Sequence, residues 1–152
     1  MADLSAAVLQ YALDHEGEKV GKRGECWDLA QEALKALGGD TSRTTKYDWG
    51  RTITMQQAGP GDIIQFGPRC KYTITNADGK WMQWSTGPMH TAIITQVYPS
   101  GRSFAILHQN YNNKKLVTPL DWFFSIGQFT HKGQSITISE VGGKAKFYRP
   151  VT

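Results

Sequence analysis

The chain is organised around the stretch Gly24-Glu25-Cys26-Trp27-Asp28-Leu29-Ala30. Apolar residues recur at helical spacing from Cys26 to Leu37, and two glycines follow as a stop, so we predict a helix from about Glu25 to Leu37. The cysteine then lies in the first turn, where unpaired backbone N–H groups and the helix dipole favour a thiolate nucleophile. The alternative is a buried cysteine that acts as a small apolar side chain.

Length and composition narrow the class of protein. The chain has 152 residues, which suits a single domain over residues 1–152 with its own core. Two cysteines are too few for a disulfide framework. The net charge of +4 comes from scattered basic residues without interleaved aromatic residues, so we expect no nucleic-acid partner.

Targeting signals are not evident in the sequence. It contains no apolar run long enough to span a membrane, and residues 1–17 lack the pattern of a secretory signal. We therefore expect no membrane association and a protein that is cytoplasmic as synthesised, or exported by a route that the sequence does not show. We also expect a monomer without a cofactor.

The order of predicted elements favours an α+β fold, with N-terminal helices and an antiparallel β-sheet on which the cysteine helix packs. An opening amphipathic helix is predicted between Leu4 and Ala12. Residues 67–89 are interpreted as an inserted hairpin with a turn at 76–79. The predicted strands are 62–66, 72–75, 81–85, 91–98, 103–108, 115–120, 134–139 and 144–149.

Two histidines are candidates to assist the cysteine. His90 begins one predicted strand and His108 ends the next, and a short turn between these strands brings the two positions opposite or diagonal to each other. A cysteine nucleophile needs an imidazole to accept its proton, and that imidazole needs a polar partner to orient it. Each histidine alone is equally well explained as a structural residue at a strand end.

Five segments carry a family resemblance, and they occur in the order 24–30, 60–66, 90–94, 108–111 and 147–150. Together they resemble the CHAP and NlpC/P60 group of papain-like cysteine peptidases and amidases. The resemblance implies a papain-like fold with Cys26 as the nucleophile, His90 as general base and then acid, and His108 as the orienting third residue. It also implies cleavage of amide bonds in peptidoglycan.

The resemblance is mixed at its third position. CHAP domains usually carry Glu where His108 stands and Asn two residues later, which Asn110 matches, whereas NlpC/P60 domains more often use His. We assign Asn110, Gln109 and Asp28 as supporting residues, with Asp28 placed to position the cysteine loop. The backbone N–H of Cys26 is one candidate oxyanion donor, and a second donor is not identified.

Aromatic residues are candidates for the walls of a substrate groove. Trp81 and Trp84 cannot both face the same side of a strand, so one of them is expected at the surface, and Trp27 adjoins the cysteine. No metal is expected, since the spacing of Cys26 and Cys70 matches no zinc motif and the loops carry too few carboxylates for calcium. We expect Cys70 to be an unpaired thiol.

These observations predict a cysteine hydrolase that cleaves amide or peptide bonds through a Cys26, His90 and His108/Asn110 triad. Its expected partner is peptidoglycan or another peptide substrate. Two alternatives stay open. One is a catalytically silent binding module of the same fold, and the other is a protein-directed cysteine protease, deamidase or acyltransferase.

Overall fold

The computed structural model describes residues 2–152 and consists mainly of β-strands. Its two α-helices are α1 (Ser5–Asp14) and α2 (Cys26–Ala36), and short 3-10 helices cover Thr44–Lys46 and Met55–Gln57. The strands are β1 (Arg51–Ile53), β2 (Ile63–Phe66), β3 (Lys71–Thr75), β4 (Trp81–Ser85), β5 (His90–Val97), β6 (Ser103–His108), β7 (Thr118–Phe123), β8 (Gly127–His131), β9 (Gln134–Gly142) and β10 (Ala145–Arg149).

The strands form two antiparallel sheets. The larger sheet has the order β1-β10-β2-β5-β6-β7, and the smaller has the order β4-β3-β9-β8. One core lies between the two sheets and includes Phe66, Trp122 and Ile138. A second core lies between the helices and the larger sheet and includes Leu29 and Ile93. The layers are therefore helices, a six-stranded sheet and a four-stranded sheet.

Helix α2 packs on the larger sheet through one apolar face. Leu29, Ala30, Ala33 and Leu34 are buried on this face, and the helix lies against β5. Full burial of a leucine side chain contributes about 2 kcal/mol, so this face anchors the helix that begins at the cysteine. None of the helices within residues 2–152 is long and apolar enough to cross a membrane.

The predicted α+β class with a single sheet is wrong. The two helices have only 10 and 11 residues, whereas strands build two separate antiparallel sheets. Strands β1 and β8 were not predicted from the sequence because they are short and carry few apolar residues. Strand β3 pairs not only with its neighbour β4 but also with β9, where Tyr72 lies opposite Val141. Pairing between such distant segments leaves no local signature in the sequence.

Candidate functional site

Cys26 is the first residue of α2, and a buried carboxylate holds the loop before it. Asp28 accepts a hydrogen bond from the backbone N–H of Glu25 at 3.2 Å and lies 3.8 Å from the Arg23 guanidinium. Gly21 has a φ of 78°, and a Cβ there would lie 2.7 Å from the Asp28 Cβ, so the loop needs glycine at this point. These contacts give Asp28 a positioning role in the cysteine loop.

Gln109 joins the end of β6 to the same loop and is fully buried. Its Oε1 accepts a hydrogen bond from the Val20 N–H at 2.7 Å, and its Nε2 donates to the carbonyls of Val20 and Glu25, each at 2.9 Å. The side chain of Asn110 adds a hydrogen bond to the Glu25 carboxylate at 2.6 Å. The segment after His108 therefore clamps the segment before Cys26.

The two histidines lie diagonally across neighbouring strands. In the register of β5 and β6, Ala92 is opposite His108, and His90 lies two residues before Ala92. His90 Nε2 and His108 Nδ1 are 2.9 Å apart, which is a hydrogen-bond distance. If His90 Nε2 donates this bond, its Nδ1 has a free lone pair that can accept a proton.

Both imidazoles are almost entirely shielded from solvent, with 3% and 2% of their surfaces exposed. Burial lowers the pKa of His90 to about 4. Burial, together with the charge that His90 would carry, lowers the pKa of His108 to about 3. At neutral pH the pair is therefore two uncharged imidazoles joined by one hydrogen bond.

The Cys26 thiol is neutral as well, which corrects the expectation of a thiolate. Burial is the largest influence and raises the pKa of Cys26, and the neighbouring Glu25 carboxylate acts in the same direction. The nearby backbone of Thr91 and Trp27 lowers the pKa of Cys26 and opposes this shift without reversing it. Desolvation here outweighs the N-terminal position on the helix.

Two further side chains support the histidines, although the sequence assigns them no role. The Tyr111 ring stacks on His108 with centroids 4.8 Å apart and meets His90 edge-on at 5.7 Å. Gln65 Oε1 accepts a hydrogen bond from the Thr91 hydroxyl at 2.6 Å and so fixes the start of β5. Gln65 lies in the segment 60–66 and Tyr111 in the segment 108–111, two of the five segments that carry the family resemblance. Their place in these segments is the sequence feature that could have identified them.

An open groove of about 750 Å³ runs over the cysteine. Its lining consists of Arg23, Glu25, Cys26, Trp27, Thr45, Tyr47, Thr86, Pro88, Met89, His90 and Asn110. Trp27 forms part of the wall, and its indole N–H donates to the Thr44 carbonyl at 2.8 Å. Trp84 packs beside Tyr111 at the edge of a separate, smaller cavity. Trp81, 69% exposed, does not line the groove.

Comparison with known proteins places this fold among cysteine proteinase-like domains. Residues 2–152 match the family described as the AIM3/BBC1 cysteine proteinase-fold domain. A protein of the yeast Debaryomyces hansenii, "Altered inheritance of mitochondria protein 3", is 30% identical over 125 residues, which cover 72% of this chain and 13% of that protein. The chain thus corresponds to a small part of that relative. No solved structure matches the chain.

Proposed function

The chain belongs to the AIM3/BBC1 cysteine proteinase-fold domain family, and from this premise we propose that it is a polypeptide-binding module. The groove over Cys26 holds an extended peptide segment, and the domain does not cleave that segment. The observation that carries this proposal is that His90 and His108 are buried and hydrogen-bond to each other, with no carboxylate partner for either ring among residues 2–152. Neither the family's description nor the relative's name mentions peptidoglycan, so wall hydrolysis is not part of the proposal.

The energetics of proton transfer support a silent site. Moving the Cys26 proton to His90 takes it from a thiol, whose ordinary pKa of about 8.5 is further raised here, to an imidazole with a pKa of about 4. This gap corresponds to at least about 6 kcal/mol. Even if the thiolate and the imidazolium were in contact, at a separation of about 4 Å, their attraction would return only about 4 kcal/mol at an effective dielectric constant of about 20. The resting pair therefore stays largely neutral.

Apart from the Cys26 sulfur, the surroundings of His90 offer no charged partner for an imidazolium. Its hydrogen-bond partner is His108, a neutral acceptor, and no carboxylate within residues 2–152 contributes to the pKa shift of either histidine. An imidazolium formed during attack would remain in a nearly solvent-free position. Binding of a peptide in the groove does not require a charged imidazole and so avoids the free-energy cost of burying that charge.

The groove itself suits a polypeptide. Its walls combine the aromatic rings of Trp27 and Tyr47 with the charged groups of Arg23 and Glu25. The mixture of apolar walls and a few polar groups is typical of sites that bind side chains and a peptide backbone. Because Trp27 is tied to the Thr44 carbonyl, this wall is formed before a ligand arrives.

The test is a selection of 12-residue peptides from a phage-displayed library, followed by fluorescence polarisation with the selected peptides. Met89→Glu places a carboxylate in the groove, and Met82→Glu is the matched control because both methionines are exposed and only Met89 lines the groove. We expect Met89→Glu to weaken binding at least tenfold and Met82→Glu to leave it unchanged. Mass spectrometry should find the peptides intact after incubation. Equal affinities for both variants would refute the proposal.

A second candidate is protein-directed thiol chemistry, and the geometry of the histidine hydrogen bond favours it. With His90 Nε2 as donor, Nδ1 can take the thiol proton while the Cys26 sulfur bonds to a peptide carbonyl carbon. The imidazolium then returns the proton to the leaving amine, and water hydrolyses the thioester. Peptide cleavage that Cys26→Ser abolishes would replace the binding proposal with this one.

Alkylation by iodoacetamide separates the two candidates without a known substrate. Peptide mapping distinguishes Cys26 from the buried Cys70. In a binding module, the rate at Cys26 rises only above about pH 8.5, the ordinary thiol pKa, and His90→Ala does not shift the profile upward. An apparent pKa well below that value, raised by His90→Ala, would support the enzyme.

A further inference from the structure

We propose that a second groove, next to the one over Cys26, binds an acidic run of the polypeptide ligand. This inference rests on the proposed function and names the chemistry of the ligand. The second groove, of about 670 Å³, is called the basic groove here and is defined by Lys46, Arg69, Lys144 and Lys146. The Tyr47 and Tyr148 side chains complete its aromatic wall.

The four cations of the basic groove have no carboxylate beside them that would neutralise their charge. No Asp or Glu lines this groove, and none of the four side chains takes part in the ion pairs found among residues 2–152. Other basic residues of the protein, such as Lys71 and Arg149, do have carboxylate partners. Four like charges around one cavity attract an anionic ligand and raise its local concentration.

The backbone holds these cations in place. Lys144 directly precedes β10 and Lys146 is its second residue, and both side chains line the same groove. The Lys144 carbonyl accepts hydrogen bonds from the Gly67 N–H at 2.9 Å and from the Cys70 thiol at 3.2 Å. This contact ties the start of β10 to the loop that carries Arg69.

Two backbone conformations show that the arrangement is closely determined. Arg69 has a φ of 66°, a left-handed conformation that costs a residue with a side chain about 1 kcal/mol. At Gly143, with a φ of 81°, a Cβ would lie 2.5 Å from the backbone of Cys70. Only glycine permits this approach, which brings Lys144 beside the Arg69 loop.

The basic groove adjoins the groove over Cys26, because Tyr47 and Met89 line both. A single extended chain can therefore pass over the cysteine and place its acidic residues among the lysines. The first groove is lined by one cation, Arg23, and one carboxylate, Glu25, which is itself paired with Lys115, whereas the basic groove holds four unpaired cations. This division of charge favours a polypeptide with a local acidic run over a nucleic acid.

The experiment uses peptides from the phage selection, extended at either end with four glutamates or four glutamines. We expect the glutamate tail at one end to improve affinity about tenfold at 50 mM NaCl and about twofold at 500 mM, because exposed ion pairs are screened. Lys144→Gln/Lys146→Gln should remove this gain and leave the affinity for glutamine-tailed peptides unchanged. Lys35→Gln/Arg102→Gln, which removes two exposed charges elsewhere, is the matched control and should retain the gain.

Failure of the inference is distinguishable from failure of the proposed function. If glutamine-tailed peptides bind in a Met89-dependent manner and the glutamate tail adds nothing, the basic groove is not an acid site although the binding module stands. Fluorescein-labelled octaglutamate tests the basic groove without the first groove, and binding that needs Lys144 and Lys146 would support it. Tighter binding of a single-stranded RNA octamer through the same lysines would overturn the assignment to a polypeptide.

Discussion

Mild acid should destabilise this domain through its buried histidines. His90 has an ordinary pKa of 6.5 in the unfolded chain and a pKa of about 4 when folded. Between these values the unfolded state binds a proton that the folded state excludes, so stability is complete above pH 6.5 and decreases as the pH falls. Lowering the pH from 6.5 to 4.5 costs about 2 kcal/mol for His90 alone, because the unfolded histidine is already half protonated at pH 6.5. His108, with a folded pKa of about 3, acts in the same direction.

Urea unfolding followed by tryptophan fluorescence at pH 7.0, 5.5 and 4.5 measures this loss at constant ionic strength. The window above pH 4.5 lies largely above the titration of ordinary carboxylates. His90→Gln should reduce the slope of unfolding free energy against pH, because the glutamine does not bind a proton. His15→Gln is the matched control at the end of α1 and should leave the slope unchanged.

A free energy of unfolding that stays level from pH 7.0 to 4.5 would refute this reasoning. So would an equal pH slope in the wild type and in His90→Gln. Either result would mean that the imidazoles reach solvent or already carry a charge when folded. The electrostatic argument for a silent thiol would then fail as well, because it rests on the same uncharged pair.

Three further substitutions test the scaffold, each by urea unfolding at pH 7. Gln109→Ala should cost about 3 kcal/mol, since two buried backbone groups of Val20 and the half-buried Glu25 carbonyl lose their partner, and a loss below about 0.5 kcal/mol would contradict the clamp. Gly143→Ala should cost more than Gly133→Ala, because only the first Cβ meets backbone, and equal losses would exclude a steric cause. Arg149→Leu should cost about 2 kcal/mol by leaving the buried Asp62 carboxylate without its cation, and an unchanged midpoint would show that this pair is energetically neutral.

Local patterns in the sequence were sufficient for the elements that surround the cysteine. Helix α2 lies within the predicted range because its apolar residues repeat at helical spacing and glycines follow it. The hairpin of β5 and β6 is equally local, with a short turn between an apolar strand and its partner. This local hairpin is the reason that the sequence places His90 and His108 on neighbouring strands.

Sequence patterns did not predict the protonation states of Cys26, His90 and His108. The helix N-terminus predicted a thiolate at Cys26, but the balance depends on how much water the folded chain removes from the sulfur and from both imidazoles. Burial is the sum of contacts from several elements, including Tyr111 beyond the end of β6. The spacing of residues along the sequence therefore does not predict how deeply these groups are buried.

The sequence by itself named Cys26, His90 and His108 as candidate site residues and located the helix and the strands around them, because these depend on periodicity and on neighbours along the chain. Only the tertiary structure decided that the strands divide into two sheets, since β3 and β9 meet across more than sixty residues. It also decided that Lys46, Arg69 and Lys144 share one cavity, because their proximity arises from the packing of separate segments. Long-range pairing and desolvation are properties of the folded chain as a whole, and for that reason local pattern does not encode them in readable form.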